Sequence, residues 1–224
     1  MAACAAEGPR CRPRPCAEAG IIAAVPYQRD VQAFDARAPG YEAGWRGGWH
    51  QDIARRTADI ALACAGEPSR ILDVGCGTGF LLRLLASRLP QATELVGVDP
   101  APHMVEAAQA ALAGDVRLRV LVGTAEELPF PSSGFDLVVS TTSFDHWADQ
   151  AAGLRECARV LVPGGWLTLT DLFTVWLWPT LFVGRSGRAR TRGRATRLVT
   201  AAGFRSPVWH RTYATILRTV TATR

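Results

Sequence analysis

Two carboxylates flank a run of alternating glycines, and no other part of the chain is as well suited to chemistry. Residues 71–79 read Ile-Leu-Asp-Val-Gly-Cys-Gly-Thr-Gly. Gly75, Gly77 and Gly79 let the backbone turn sharply and let a ligand lie against bare peptide. Phe80 stands where a dinucleotide-binding turn would carry its third glycine. Asp73 lies just ahead of the turn. Helix N-termini and free N–H groups favour anions, so a carboxylate there would repel a pyrophosphate and attract an amine. Asp99 follows about 20 residues after the glycines, where mononucleotide folds place a ribose-binding acid. Its two oxygens can accept from both ribose hydroxyls. Together these residues suit a nucleoside with a cationic amino-acid tail rather than NAD.

A second set of residues could act on an acceptor. His146, in the run Thr141-Thr142-Ser143-Phe144-Asp145-His146-Trp147, could take a proton from a hydroxyl or an acidic carbon. It could equally pack beside Trp147 at the start of a helix. His50 is a weaker candidate, and His103 and His210 are incidental. Residues 172–183 are an apolar stretch rich in Trp, Leu and Phe, roughly 12 residues and too short to span a bilayer. It reads as a greasy lid over the substrate mouth, a core helix or a dimer face. Arg185, Arg188, Arg190, Arg192, Arg194 and Arg197 follow. They read as a solvated loop that could also touch anionic lipid, so 172–197 is a candidate for peripheral membrane contact.

The elements that must position these groups alternate. The pattern predicts strands at 70–74, 94–98, 117–122, 135–140 and 166–171. Between them it predicts helices at 80–89, 102–112 and 149–160, preceded by a helix over 51–65. That alternation implies an α/β, doubly wound, mostly parallel sheet with helices on both faces. Ligands of such sheets bind outside the carboxyl ends of the strands, where every motif above falls. A helix near 194–202 and two β-rich runs, 207–213 and 215–222, close the chain.

Further motifs extend the pattern: Val98-Asp99-Pro100, Gly123-Thr124-Ala125-Glu126-Glu127-Leu128-Pro129-Phe130, Phe135 to Ser140, and Arg159 to Gly165. With the glycine turn, these make residues 68–172 resemble the class I S-adenosylmethionine-dependent methyltransferases, of the small-molecule type related to quinone and natural-product methylating enzymes. The resemblance implies a Rossmann-like fold whose last two strands form an antiparallel hairpin. It implies S-adenosyl-L-methionine as the methyl donor, held by Asp73 and the glycine loop at the methionine end and by Asp99 at the ribose. Met104 would cover an adenine face, and Ser140 would offer a carbonyl to the ammonium. The adenine amino edge would meet residues 124–125. Thr124 departs from the aspartate usual there, while Ala125 keeps its backbone N–H.

At 224 residues the chain is long enough for one domain with a full core. We expect a disordered leader over 1–25 and a single domain over 26–224. Its parts would be a lid and helix (26–66), a cofactor-binding core (67–172), an apolar and Arg-rich insertion (173–197) and a C-terminal helix end with hairpin (198–224). The leader lacks the apolar region of a secretory signal. All 25 basic residues are arginine, and the net charge of +5 is too mild to imply a nucleic-acid partner. The six cysteines show no metal-ligand spacing, which points to a reducing cytoplasm and no metal. The expected substrate is a small, lipophilic metabolite, methylated on oxygen or carbon. An RNA methyltransferase and a non-catalytic protein of the same fold are the alternatives. The oligomeric state is not legible at this level.

Overall fold

The computed structural model describes residues 30–173, 191–213 and 216–224. The expected leader lies outside the described residues, as does most of the apolar and Arg-rich insertion. Seven strands form one sheet: β1 (Arg70–Val74), β2 (Glu94–Asp99), β3 (Leu118–Val122), β4 (Phe135–Thr141), β5 (Leu161–Leu172), β6 (Arg205–Tyr213) and β7 (Leu217–Thr223). Their order is β3-β2-β1-β4-β5-β7-β6. The first five are parallel and β7 runs antiparallel to both β5 and β6, so the expected terminal hairpin is present. Among the described residues no helix is long and apolar enough to cross a membrane.

The helices are α1 (Gly44–Ala65), α2 (Phe80–Arg88), α3 (Pro102–Leu112), α4 (Gln150–Val160) and α5 (Arg192–Ala201). Residues on successive positions of a strand face opposite sides, and each side of this sheet has its own core. Ile71, Leu95, Leu137 and Val139 pack with Ala54, Ala58 and Ala61 of α1, Leu82 and Leu85 of α2, and Ala108 of α3. Leu72, Val74, Val138 and Leu169 pack on the other side with Leu154 of α4 and Val199 of α5. By this alternation Asp73 belongs to the α1 side and Val74 to the α4 side.

Two boundaries differ from the sequence reading. Helix α1 begins at Gly44, seven residues earlier than the apolar pattern suggests. Its first turns contain Gly47, where a Cβ would lie 2.1 Å from the Glu42 carbonyl oxygen. The glycine therefore permits a close chain crossing rather than breaking the helix. Strand β5 starts at Leu161, not 166, because its pairing with β4 slips between Phe135 and Leu137 and accommodates Val162–Gly165 as an irregular extension.

Ahead of α1, residues 30–35 are helical and Ala38–Gly40 form a 3-10 turn. This cap lies across the carboxyl ends of the strands and is tied at three points. Asp30 Oδ2 lies 3.2 Å from His146 Nδ1. Asp35 Oδ1 accepts from the His103 N–H at the start of α3, and its other oxygen meets His103 Nδ1 at 2.6 Å. Glu42 takes both its oxygens to Arg83 at 2.8 Å and accepts from the Thr78 hydroxyl at 2.6 Å.

Candidate active site

Under the cap, at the carboxyl ends of β1, β2 and β4, lies a cleft with two joined lobes. The larger is lined by the ends of β2 and β3, the 141–147 segment and the helical turn at 30–35. The smaller lies between the glycine loop and the start of α1. Tyr41, Gly75, Gly77, Thr141 and Thr142 border both. Asp30, Asp99 and Glu126 line the first lobe and Glu42 and Asp73 the second, while among the described residues no arginine lines either. In a chain of net charge +5, the ionisable lining among the described residues is thus five carboxyl groups, two histidines, Tyr41 and Cys76, a lining that favours cations.

Asp73 is the most perturbed of these. It is 1% exposed at the end of β1, and its Oδ1 has no hydrogen-bond partner among the described residues. Burial, with the negative charge of Asp99 added, pushes its carboxyl up to about 8. A buried acceptor without a donor is costly, and a ligand bringing an N–H would supply the missing donor. A cradle adjoins it. Gly75 has φ +77°, and a Cβ there would lie 2.1 Å from Ser143 Oγ, so only bare backbone fits between loop and wall. The residues present therefore match the amino-acid end of the expected donor.

Asp99 does more than its sequence position suggests. Its Oδ2 accepts from Gly77 N–H and its Oδ1 from Ala101 N–H, both at 2.9 Å. One carboxylate thereby fastens the glycine loop to the start of α3. Burial raises its pKa, and the two backbone hydrogen bonds oppose the rise. Each oxygen keeps a further lone pair for a ribose hydroxyl. Met104, 2% exposed, packs with Ala101 and Ala38 while lining the larger lobe, as does Ala125.

Three of the sequence candidates stand back from the cleft. Gly79 lines neither lobe; it is the left-handed residue before α2, with Ala108 and Leu112 of α3 packed within 3.5 Å of where a Cβ would be. Thr124 forms an isolated bridge with Glu127 and also lines neither. Ser140 is fully buried, its hydroxyl 3.0 Å from that of Ser143. Ser143 is the wall residue here. Its hydroxyl donates to the Val74 carbonyl and accepts from Trp147 Nε1.

His146 lines the larger lobe, with Nδ1 toward Asp30 and the Phe34 ring edge-on at 4.8 Å. His50 lines the smaller lobe and stacks on Tyr41 at 5.4 Å. His103 holds the cap and His210 bonds Thr221, both away from the cleft. Sequence reasoning expected a lid in 26–66, the segment that carries Phe34 and Tyr41, but missed Asp30 and Glu42 as cleft residues, because only the folded cap carries them there.

Comparison with known proteins agrees with this geometry. Residues 72–169 match the model of a methyltransferase domain. The chain is 42% identical over 121 residues to a demethylmenaquinone methyltransferase of Deinococcus radiodurans, covering 54% of this chain and 50% of that one. It is 35% identical over 167 residues to a malonyl-[acyl-carrier protein] O-methyltransferase of Geobacter sulfurreducens, covering 69% and 62%. The chain thus spans between half and two thirds of the length of these relatives. An S-adenosylmethionine-dependent methyltransferase of Aquifex aeolicus shares the fold at a TM-score of 0.66 with 19% identity, over 84% of this chain and 97% of that one.

Proposed function

Residues 72–169 are a class I methyltransferase domain, and from that premise we propose that the protein transfers a methyl group from S-adenosylmethionine to a small, neutral, lipophilic acceptor of the quinol type. The observation that carries this reading is the cleft itself: among the described residues it is lined by five carboxyl groups and no arginine, and it is built around Asp73, whose Oδ1 has no partner there. Such a cleft favours a ligand with an ammonium and a sulfonium. The bound donor supplies an activated methyl carbon. Asp73 and the bare backbone at Gly75 and Gly77 hold its amino-acid end, Asp99 its ribose, and Met104 and Ala125 flank its base. Thr124 and Ser140 support these walls from behind.

The acceptor would meet Val31, Phe34 and Trp147, with His146 as general base for a hydroxyl or an acidic carbon. The same carboxylates argue on charge against a free malonyl carboxylate, so of the two relatives' substrate types the quinol is favoured. No RNA partner is proposed, since an acidic cleft repels phosphates. The 172–197 stretch would meet the lipid in which a prenylated quinol dissolves. A cytoplasmic location fits Cys64, Cys76 and Cys157, all free thiols.

The test is methyl transfer from methyl-labelled donor to a panel: a prenylated naphthoquinol, a malonyl thioester, a catechol and a transfer RNA. Label is expected in the quinol and absent from the thioester and the RNA. Label in the thioester or RNA alone would overturn the proposal.

A further inference from the structure

Asp30 and Phe34 lie four residues apart on the helical turn at 30–35, hence on one face of it, and they bracket the same imidazole. Asp30 approaches Nδ1 and Phe34 abuts the ring at an interplanar angle of 81°. The His146 backbone is held as well, its N–H donating to the Ser143 carbonyl at 2.9 Å. His146 is 27% exposed and Asp30 22% exposed at the side chain, so water penetrates little between them.

A carboxylate only accepts hydrogen bonds, while a neutral imidazole has one N–H and one lone pair. With Asp30 on Nδ1, the N–H must sit at Nδ1 and the lone pair at Nε2. We infer that Asp30 is the positioning residue of a histidine base, which is set in its proton-accepting tautomer only while the N-terminal cap lies on the cleft. This rests on His146 being the base of the proposed methyl transfer. The hydroxyl proton passes to Nε2, the oxygen's lone pair bonds the methyl carbon, and the C–S bonding pair remains on sulfur. The imidazolium so formed faces Asp30 and lies in the field of buried Asp171, whose carboxyl is pushed up by burial and drawn down by the His146 charge. Tying the base to the cap also ties proton removal to exclusion of water. Buried Asp145, adjoining His146 in sequence, donates its backbone N–H to Asp171 and so holds that second carboxylate in place.

The experiment combines a spectroscopic arm on the full chain saturated with S-adenosylhomocysteine and a kinetic arm on the full chain supplied with S-adenosylmethionine. The protein has four histidines, so 15N-histidine spectra can be assigned by single substitutions. In its neutral form, His146 is expected to show a protonated Nδ1 and a lone pair at Nε2. Asp30→Asn removes the obligate acceptor, so the Nε2–H form should appear. In the prenylated naphthoquinol assay, Asp30→Asn should lower kcat by about 100-fold or more. Its KM for the donor should stay within about threefold, and Asp30→Glu should recover much of the rate. Calorimetry with S-adenosylhomocysteine confirms that each variant is folded. A wild-type His146 carrying its proton on Nε2 overturns the inference, as does an Asp30→Asn variant with unchanged tautomer and rate. If the tautomer behaves as expected but no quinol is methylated, the substrate reading fails and the Asp30–His146 pairing stands.

Discussion

Asp73 should make donor binding a proton-releasing event. Its carboxyl, pushed up to about 8 by burial, is about 0.9 protonated at pH 7. An ammonium brought against it favours the carboxylate and lowers its pKa by about 1–3 units or more. Binding at pH 7 should therefore release about 0.4 of a proton for a one-unit drop and about 0.9 for three units. Affinity for S-adenosylhomocysteine should rise about 2- to 8-fold between pH 6 and 7 over the same range, because the ligand competes less with a bound proton. Titration calorimetry in phosphate and in Tris at pH 7 reads the proton from the difference in heats. Asp73→Asn should bind more weakly, with an affinity flat across this pH range and the same heat in both buffers. The sign can be checked without ligand. The folded chain keeps a proton on Asp73 that the unfolded chain loses near 3.9, so this group costs stability as pH rises from about 4 to about 8. The slope is at most about 1.4 kcal/mol per pH unit, and urea midpoints should show it in the wild type and less of it in Asp73→Asn. Equal wild-type heats in the two buffers together with a pH-independent affinity would refute the reasoning.

Gly75→Ala places a methyl 2.1 Å from Ser143 Oγ on a backbone of φ +77°. It should cost about 1–3 kcal/mol in denaturant unfolding and abolish S-adenosylhomocysteine binding. Thr57 sits within a buried chain of hydroxyls, with Thr170, Thr219 and Thr212 beyond it. Thr57→Val should destabilise by about 1–2 kcal/mol, measured by urea unfolding, by removing one of the two hydroxyl partners of buried Thr170. Glu42→Gln weakens the tie to Arg83. At about 0.2–1 kcal/mol for a part-exposed pair, it should speed dissociation of S-adenosylhomocysteine roughly threefold in stopped flow.

The central strands were readable because buried parallel strands are continuous apolar runs ended by glycine or acid. β1 over Arg70–Val74 and α3 over Pro102–Leu112 match the pattern to the residue. The start of α1 was not, since Gly44, Gly47 and Gly48 imitate a loop. The demand for a small residue at 47 arises only when residue 42 crosses it. β5 was shortened for a related reason. Pro163-Gly164-Gly165 imitates a turn, yet Gly164 N–H reaches the Arg224 carbonyl and Arg224 N–H the Gly165 carbonyl, pairing that no local pattern encodes. At the site, Asp73 and Asp99 were legible as charges at strand ends. The partners of His146, His103 and Arg83 were not, because Asp30, Asp35 and Glu42 are distant in sequence and meet them only through the cap.

The three ties of that cap differ in durability, and the difference gives it a direction in which to peel. Glu42 meets Arg83 with both its oxygens, and the Thr78 hydroxyl braces the pair. The tie at Asp35 depends on His103, whose pKa Asp35 raises and whose side chain is 63% exposed. Its charge is present in mild acid and vanishes as alkalinity passes that raised pKa, and salt weakens it at any pH. Alkaline or saline solution should therefore loosen the outer end first, baring the larger lobe while the smaller one stays shut. A molecule in the larger lobe would then exchange while one held at the glycine loop stays in place.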